Sequence, residues 1–295
     1  MLKRVLKPTK LSLLSTRHLS QFPWLVHAFS TRVGGFSRAY GGAALNLGFT
    51  KDDSQAAVER NRAAFLAALD AKAKSKDKSS LRSLVTLRQI HSDLIWPIDS
   101  PGEPHAGDGL ITNTPGLLLG IQTADCLPII LVDPKHHAVG VFHAGWRGTI
   151  QRIIEKGVGE MHRHFGSLGR DLKAAIGPGI HGCCYAVSPE VRDKFESQFS
   201  YAEKLFRMLE ETDPVREKYP MLFLTARAPG HSELPKKIFL DLVEANRQQL
   251  LAVGVPAKSI DASPLCTNCR TDLLFSYRAE KAKTGRMMAI VGIKE

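Results

Sequence analysis

Two apolar runs, Leu127–Val132 and Ala138–Phe142, are separated only by Asp133-Pro134-Lys135-His136-His137, and this spacing constrains the chain more than any other feature. The runs are short, rich in β-branched residues and bounded by turn formers, so they read as buried strands joined by a tight antiparallel turn. A turn centred on Pro134–Lys135 sets Cys126 directly opposite His143 at the open end of the hairpin. Their side chains then share one face, about 5 Å apart. A soft thiolate beside an imidazole begins either a metal site or a Cys/His catalytic pair.

The rest of the chain can be placed around this hairpin. Trp24–Ser30 reads as a first strand, followed by a glycine-rich stretch, residues 34–48, whose backbone can approach a ligand closely. Arg32 and Asn46 on this stretch suggest anion or sugar binding. Asp52, Asp53 and Ser54 offer N-caps for a helix that buries Val58, Phe65 and Leu69. A Lys-rich loop, residues 72–80, separates that helix from a strand over Leu84–Ile90, which ends at His91. Asp108–Thr112 and Leu117–Gln122 read as strands leading to Thr123-Ala124-Asp125-Cys126. After His143, the segment Ala144-Gly145-Trp146-Arg147-Gly148-Thr149 turns the chain into a helix. Thr149 as its N-cap, together with Arg147, gives an anion site beside His143. Leu172–Ile176 reads as a strand, and Ser188-Pro189 opens a further helix. Residues of about 200–236, broken by prolines, read as an insertion, and Phe239–Leu251 as an amphipathic helix. Ile260–Ser263, Leu273–Tyr277 and Met287–Ile293 complete the strands, the last two as a hairpin.

Charge narrows the partners. The chain of 295 residues carries a net +11, but residues 1–51 hold eight basic and no acidic residues. The remaining 32 Lys and Arg nearly balance 29 Asp and Glu, which describes a basic tail over residues 1–21 rather than a nucleic-acid surface. No apolar run reaches the length of a membrane span, and the acid-free N-terminus is too broken for a secretory signal. Five cysteines, 126, 183, 184, 266 and 269, form no disulfide framework and suit a reducing cytoplasm. Cys183 and Cys184 read as small buried hydrophobes, and Cys266-Thr-Asn-Cys269, which has the local spacing of a zinc-knuckle arm, as a structural pair or a metal-binding one. The expectation is one catalytic domain over residues 22–295, a monomer or a homodimer.

The chemistry concentrates at three residues. His91, Cys126 and His143 offer three soft or borderline ligands and an open fourth position, the composition of a catalytic zinc site. Asp125 either orients a histidine from behind or caps a turn. Copper oxidase chemistry asks for His-x-His pairs, and His162-Arg163-His164 is the one such pair.

The elements STRVGG with NLG, RQIHS, DGLIT, TADCLPIILVD, HAGWRG, IGPGIHGCCYAVSPEV, and SYR with TGR resemble the YfiH family over about Phe29–Ile293. That family has been called laccase-domain or polyphenol oxidase and is now regarded as purine nucleoside phosphorylase. The resemblance implies an α+β fold, a layered α/β/β/α sandwich with mixed sheets, distantly like cysteine-dependent toxin deamidases. It implies a zinc ion held at His91, Cys126 and His143, and substrate contacts at Arg32, Asn46 and Arg147. The implied reactions are phosphorolysis of adenosine, inosine, guanosine and 5′-methylthioadenosine, with purine nucleoside and phosphate as partners, and deamination of adenosine. The chain departs from the pattern at Ser92, where Gly is usual, at Gly179, where Cys is frequent, and in the length of 200–236. Two rivals stand beside this reading. One is a metal-free cysteine hydrolase or amidase using Cys126 and His143, acting on peptidoglycan precursors. The other is a zinc-stabilised binding module.

Overall fold

Strands that are apolar on both faces must be covered on both faces, and this sets the layering. In the computed structural model, which describes residues 11–73, 83–210 and 236–295, every residue of Leu127–Asp133 and Ala138–Ala144 is buried. The first ten residues, the Lys-rich loop from residue 74 and residues 211–235 of the expected insertion lie outside the described residues.

The chain divides into two units, Met1–Ile180 with Leu242–Glu295, and His181–Asp241. In the larger unit one sheet has the order β1 (Leu13–Leu14), β2 (Leu25–Ser30), β15 (Met287–Ile293), β7 (Leu117–Thr123), β4 (Ser83–Thr86). The other runs β14 (Ile260–Ala262), β10 (Lys173–Ile176), β8 (Leu127–Asp133), β9 (Ala138–Ala144), β6 (Gly109–Thr112), β5 (Ile95–Pro97). Both sheets mix parallel and antiparallel pairs.

Side-chain alternation along the strands then assigns each face. Phe29, Leu119, Ile121 and Val291 of the first sheet meet Leu110, Ile130, Val132, Val139 and Val141 of the second in one core. The intervening residues Val26, Ala28, Leu118 and Ile290 face outward and pack with Phe65 and Leu69 of the helix α2 (Gln55–Ala73), which Ser54 caps. Beyond the second sheet, α4 (Ile153–Phe165) approaches so closely that a Cβ at its Gly157 would stand 2.6 Å from the Phe142 ring. The helix α6 (Leu242–Ala252) lies against α4. The result is the expected α+β sandwich of helix, sheet, sheet and helix.

The short strand β3 (Val33–Ser37) closes the glycine-rich loop through bridges to Ala44. Gly35 there has φ +87°, and a Cβ on it would meet the Ala44 carbonyl and the Asn61 amide at 2.6 Å each. The smaller unit is a three-stranded antiparallel sheet, β11 (Ala186–Val187), β13 (Lys236–Leu240) and β12 (Phe206–Glu210), with α5 (Pro189–Gln198) opening at Ser188.

Several expectations are corrected. The apolar run Leu273–Tyr277 is a series of turns, buried through Leu274 and Phe275 against Tyr40 and Met287 rather than paired in a hairpin. Phe239 belongs to β13, so the following helix starts only at Leu242. Cys183 is exposed and Cys184 half-buried, where both were expected in a core. From Leu11 the supposed tail is packed: Leu13 and Leu14 pair with Ser30 and Phe29, and the helical turn α1 (Arg17–Ser20) buries Leu19 completely. Leu19→Ala should therefore lower the unfolding free energy by about 2–5 kcal/mol, read from the urea midpoint, whereas a tail residue would leave the midpoint unmoved.

Candidate metal centre

Three segments of the larger unit deliver the three sequence-predicted ligands. His143 is the penultimate residue of β9, 4% exposed. It pairs with Pro128, not with Cys126, so the hairpin register is two residues away from that expected. The cause is the turn. Buried Asp133 accepts hydrogen bonds from the Lys135 and His136 backbone N–H groups at 2.8 and 3.2 Å and holds the His136 ring at 2.7 Å, which fixes a longer turn between Asp133 and Ala138. A shift of two preserves the face of every side chain. Cys126, just before β8, therefore still reaches His143, as a diagonal neighbour.

Asp125 aims Cys126. Its backbone is left-handed at φ 92°, and its carboxylate is anchored by the Thr267 hydroxyl and the Arg278 N–H, both at 2.6 Å. Asp125 thus fixes the turn and does not touch a histidine. The third ligand arrives on a loop docked by Gln89, whose amide bonds the backbone N–H and C=O of Gln122 like a strand partner, at 2.7 and 2.8 Å. Two residues on, His91 takes a left-handed φ of 59° and stands exposed.

The ligand atoms of His91, Cys126 and His143 all lie within 4.8 Å of one another, and the two imidazoles meet edge-on with centroids 4.9 Å apart. Gly145 completes the enclosure: a Cβ there would press the Cys126 sulfur at 2.9 Å and the His91 ring at 3.5 Å. Exposure rises from buried His143 through half-buried Cys126 to His91, so the centre opens to solvent on the His91 side. A thiolate and two imidazoles at this separation fit one ion of zinc-like size, with a coordination position left over.

The carboxylate that meets a ligand is one the sequence reading did not single out. Asp108, fully buried, bonds His143 Nδ1 at 2.8 Å and accepts from the Ser92 N–H at 2.6 Å and the Ser92 hydroxyl at 2.7 Å. Burial pushes Asp108 up, but these hydrogen bonds outweigh it and hold the carboxyl at about 2. Burial also opposes charge on the Cys126–His143 pair, yet mutual attraction dominates. The Cys126 thiol falls to about 6 beside the His143 ring, with help from His91, and His143 rises to about 9 beside Cys126 and Asp108.

The proposed substrate residues are dispersed. Arg32 bonds Glu280 at 2.9 Å and the Thr271 and Tyr40 carbonyls at 2.8 and 3.0 Å, and it lines a cleft of about 670 Å³ with Gly34, Tyr40 and Thr271. Asn46 is fully buried and spends its amide on Gly48, Asp53 and the Arg286 N–H. Arg147 is exposed and rests 5.3 Å from the Trp146 ring centroid. Thr149 is not an N-cap. Gly145 caps the short helix α3 (Trp146–Ile150), and Thr149 is buried inside it with its N–H on the Gly145 carbonyl and its hydroxyl on Asn246. The helix start therefore lies at Gly145, four residues before Thr149.

In chelator-treated protein, alkylation of Cys126 by iodoacetamide should follow a thiolate that forms as pH rises through about 6. Peptide mass spectrometry across pH 5–9 should show the Cys126 adduct already near its plateau rate at pH 7, while an ordinary thiol is still climbing; a midpoint above 8 contradicts the pairing.

Comparison with known proteins agrees with this architecture. A crystal structure of the hypothetical protein YfiH of Bacillus licheniformis superposes with a TM-score of 0.78 at 32% identity, covering 96% of this chain and 97% of that one. Purine nucleoside phosphorylase YlmD of Geobacillus stearothermophilus is 32% identical over 286 residues, 90% of this chain and 92% of the relative. Adenosine deaminase RL5, of an unknown prokaryotic organism, is 34% identical over 216 residues, 70% of this chain and 73% of the relative. The family model described as multi-copper polyphenol oxidoreductase laccase matches residues 26–294, and the chain belongs to that family.

Proposed function

We propose that this chain is a zinc-dependent purine nucleoside phosphorylase acting on adenosine, inosine, guanosine and 5′-methylthioadenosine, and that it also deaminates adenosine. The observation that carries the reading is the convergence of His91, Cys126 and His143 on one solvent-open centre. The relatives named for these two reactions support it. Zinc, rather than the copper of the family description, suits the donor set. The one His-x-His pair is committed elsewhere, His162 to the Ser167 carbonyl and His164 to Glu160.

Each residue then has a part. His91, Cys126 and His143 hold the ion, and when bound it supplies Lewis acidity for activating water or polarising the substrate. Arg147, exposed in the first turn of α3 just after His143, attracts phosphate. The phosphate oxygen forms its bond to C1′ as the C1′–N9 bond breaks, and the base leaves with a proton. In deamination, water adds at C6 and ammonia departs. Arg32 and Asn46 shape the glycine-rich loop and its cleft, a volume in the range of small-molecule sites. Asp125 sets the Cys126 turn. The setting we propose is a reducing cytoplasm; no helix among the described residues is long and apolar enough to cross a membrane.

One observation favours a second reading. Cys126 beside His143 is also the geometry of a thiolate–imidazolium nucleophile, which predicts rapid alkylation of Cys126 in metal-replete protein.

Purified protein incubated with adenosine and phosphate should yield adenine, ribose 1-phosphate and inosine by chromatography; no product from the wild type overturns the proposal. Metal analysis should find about one zinc per chain. Cys126→Ala should lose the zinc and at least about 100-fold in rate, the equivalent of several kcal/mol of lost transition-state stabilisation, while its circular dichroism is kept. Unfolding of that variant would instead mark a structural zinc.

A further inference from the structure

We infer that Asp108 is the positioning residue of the metal centre, one carboxylate that sets the geometry of two ligands, His143 through its ring and His91 through its backbone. This rests on the metal-site reading above and extends it to a residue that never meets the ion.

The hydrogen bonds divide by oxygen. Oδ1 takes His143 Nδ1 at 2.8 Å and the His91 N–H at 3.1 Å. Oδ2 takes the Ser92 N–H at 2.6 Å, the Ser92 hydroxyl at 2.7 Å and the Ile90 N–H at 3.3 Å. The Asp108 backbone adds two more ties. Its C=O accepts from the His143 N–H at 2.8 Å, and its N–H donates to the Leu94 carbonyl at 2.9 Å. Asp108 is thus locked at once to the end of β9 and to the loop of residues 90–94.

Two consequences follow for the ligands. An ionised carboxylate only accepts, so it requires the proton of His143 on Nδ1 and leaves the Nε2 lone pair for the ion. On the other side, three consecutive backbone N–H groups, from Ile90 to Ser92, point at one carboxylate. That convergence is what curls the loop through the left-handed His91 and turns its ring toward His143. A non-Gly residue in that conformation is sustained only where its surroundings over-determine it, and here five hydrogen bonds to a single buried side chain do so. Asp125, the acid adjacent to Cys126, has both oxygens on other partners and does not share this role.

The test uses zinc alone, titrated against a chromophoric chelator, in wild type, Asp108→Asn and Ser92→Ala. In Asp108→Asn the amide NH2 must face either His143 Nδ1–H together with the His91 N–H, or the N–H groups of Ile90 and Ser92, so at least one ligand loses its orientation. Zinc affinity should fall roughly 10- to 100-fold with stoichiometry still reaching one at saturation. Cobalt(II) in the same variant should give an altered ligand-field and thiolate charge-transfer spectrum, which a loss of global stability alone does not produce. Ser92→Ala removes one hydroxyl and should lower affinity by a few-fold; it decides the matter if Asp108→Asn fails to fold. A wild type that takes up no zinc overturns the metal-site reading itself. A wild type that binds zinc, with folded variants of equal affinity and spectrum, overturns the role of Asp108 alone.

Discussion

The pairing of β8 with β9 is the constraint on which the rest depends. Every residue of both strands is buried, so the ladder has to be covered by a second sheet on one side and by helices on the other. The same ladder ends at the candidate metal centre, with His143 at the close of one strand and Cys126 at the approach to its partner. The strands fix the backbone at and beside these two residues, and the carboxylates of Asp108 and Asp125 complete the positioning.

What the sequence discloses about these elements depends on how local their signal is. The apolar runs, the cap at Ser54 and the Ser188-Pro189 opening rest on neighbours within a few residues, and all three appear where spacing placed them. The hairpin register was displaced because a side chain, Asp133, extends the turn through its own hydrogen bonds. Parity saved the functional conclusion: a displacement of two leaves Cys126 and His143 on one face. The run Leu273–Tyr277 misled because burial without alternation does not distinguish a strand from a packed turn.

The candidate site divides in the same way. Cys126 and His143 were readable because a soft ligand and an imidazole flank one hairpin. His91 was readable only as a strand-end residue awaiting partners, and Gln89, which docks its loop onto Gln122, gives no local sign of doing so. Thr149 carried the chemistry of a cap but fell one turn too late, since Gly145 had already begun the helix. Asp108 was passed over for Asp125 because adjacency to Cys126 in sequence looked like adjacency to the histidine in space. The backbone reverses at Asp125 and carries its carboxylate toward Thr267 and Arg278.

The five-stranded sheet has at its middle the last strand of the chain. Phe29 of β2 pairs with Ala289 of β15, about 260 residues later, whereas Asp133 and Ala138 close the central hairpin across a four-residue turn. Loop-closure entropy grows as the logarithm of loop length, so ordering the long connection costs about 3–4 kcal/mol more than closing the hairpin. The two sheets therefore differ at their centres: one is closed by strands adjacent in sequence, the other by a strand from far along the chain. All three candidate ligands lie between residues 91 and 143, on β9, at the entry to β8 and on the loop beside them. The candidate site thus sits on the hairpin whose closure costs the least entropy, and the costlier long-range pairing falls to the sheet that covers it.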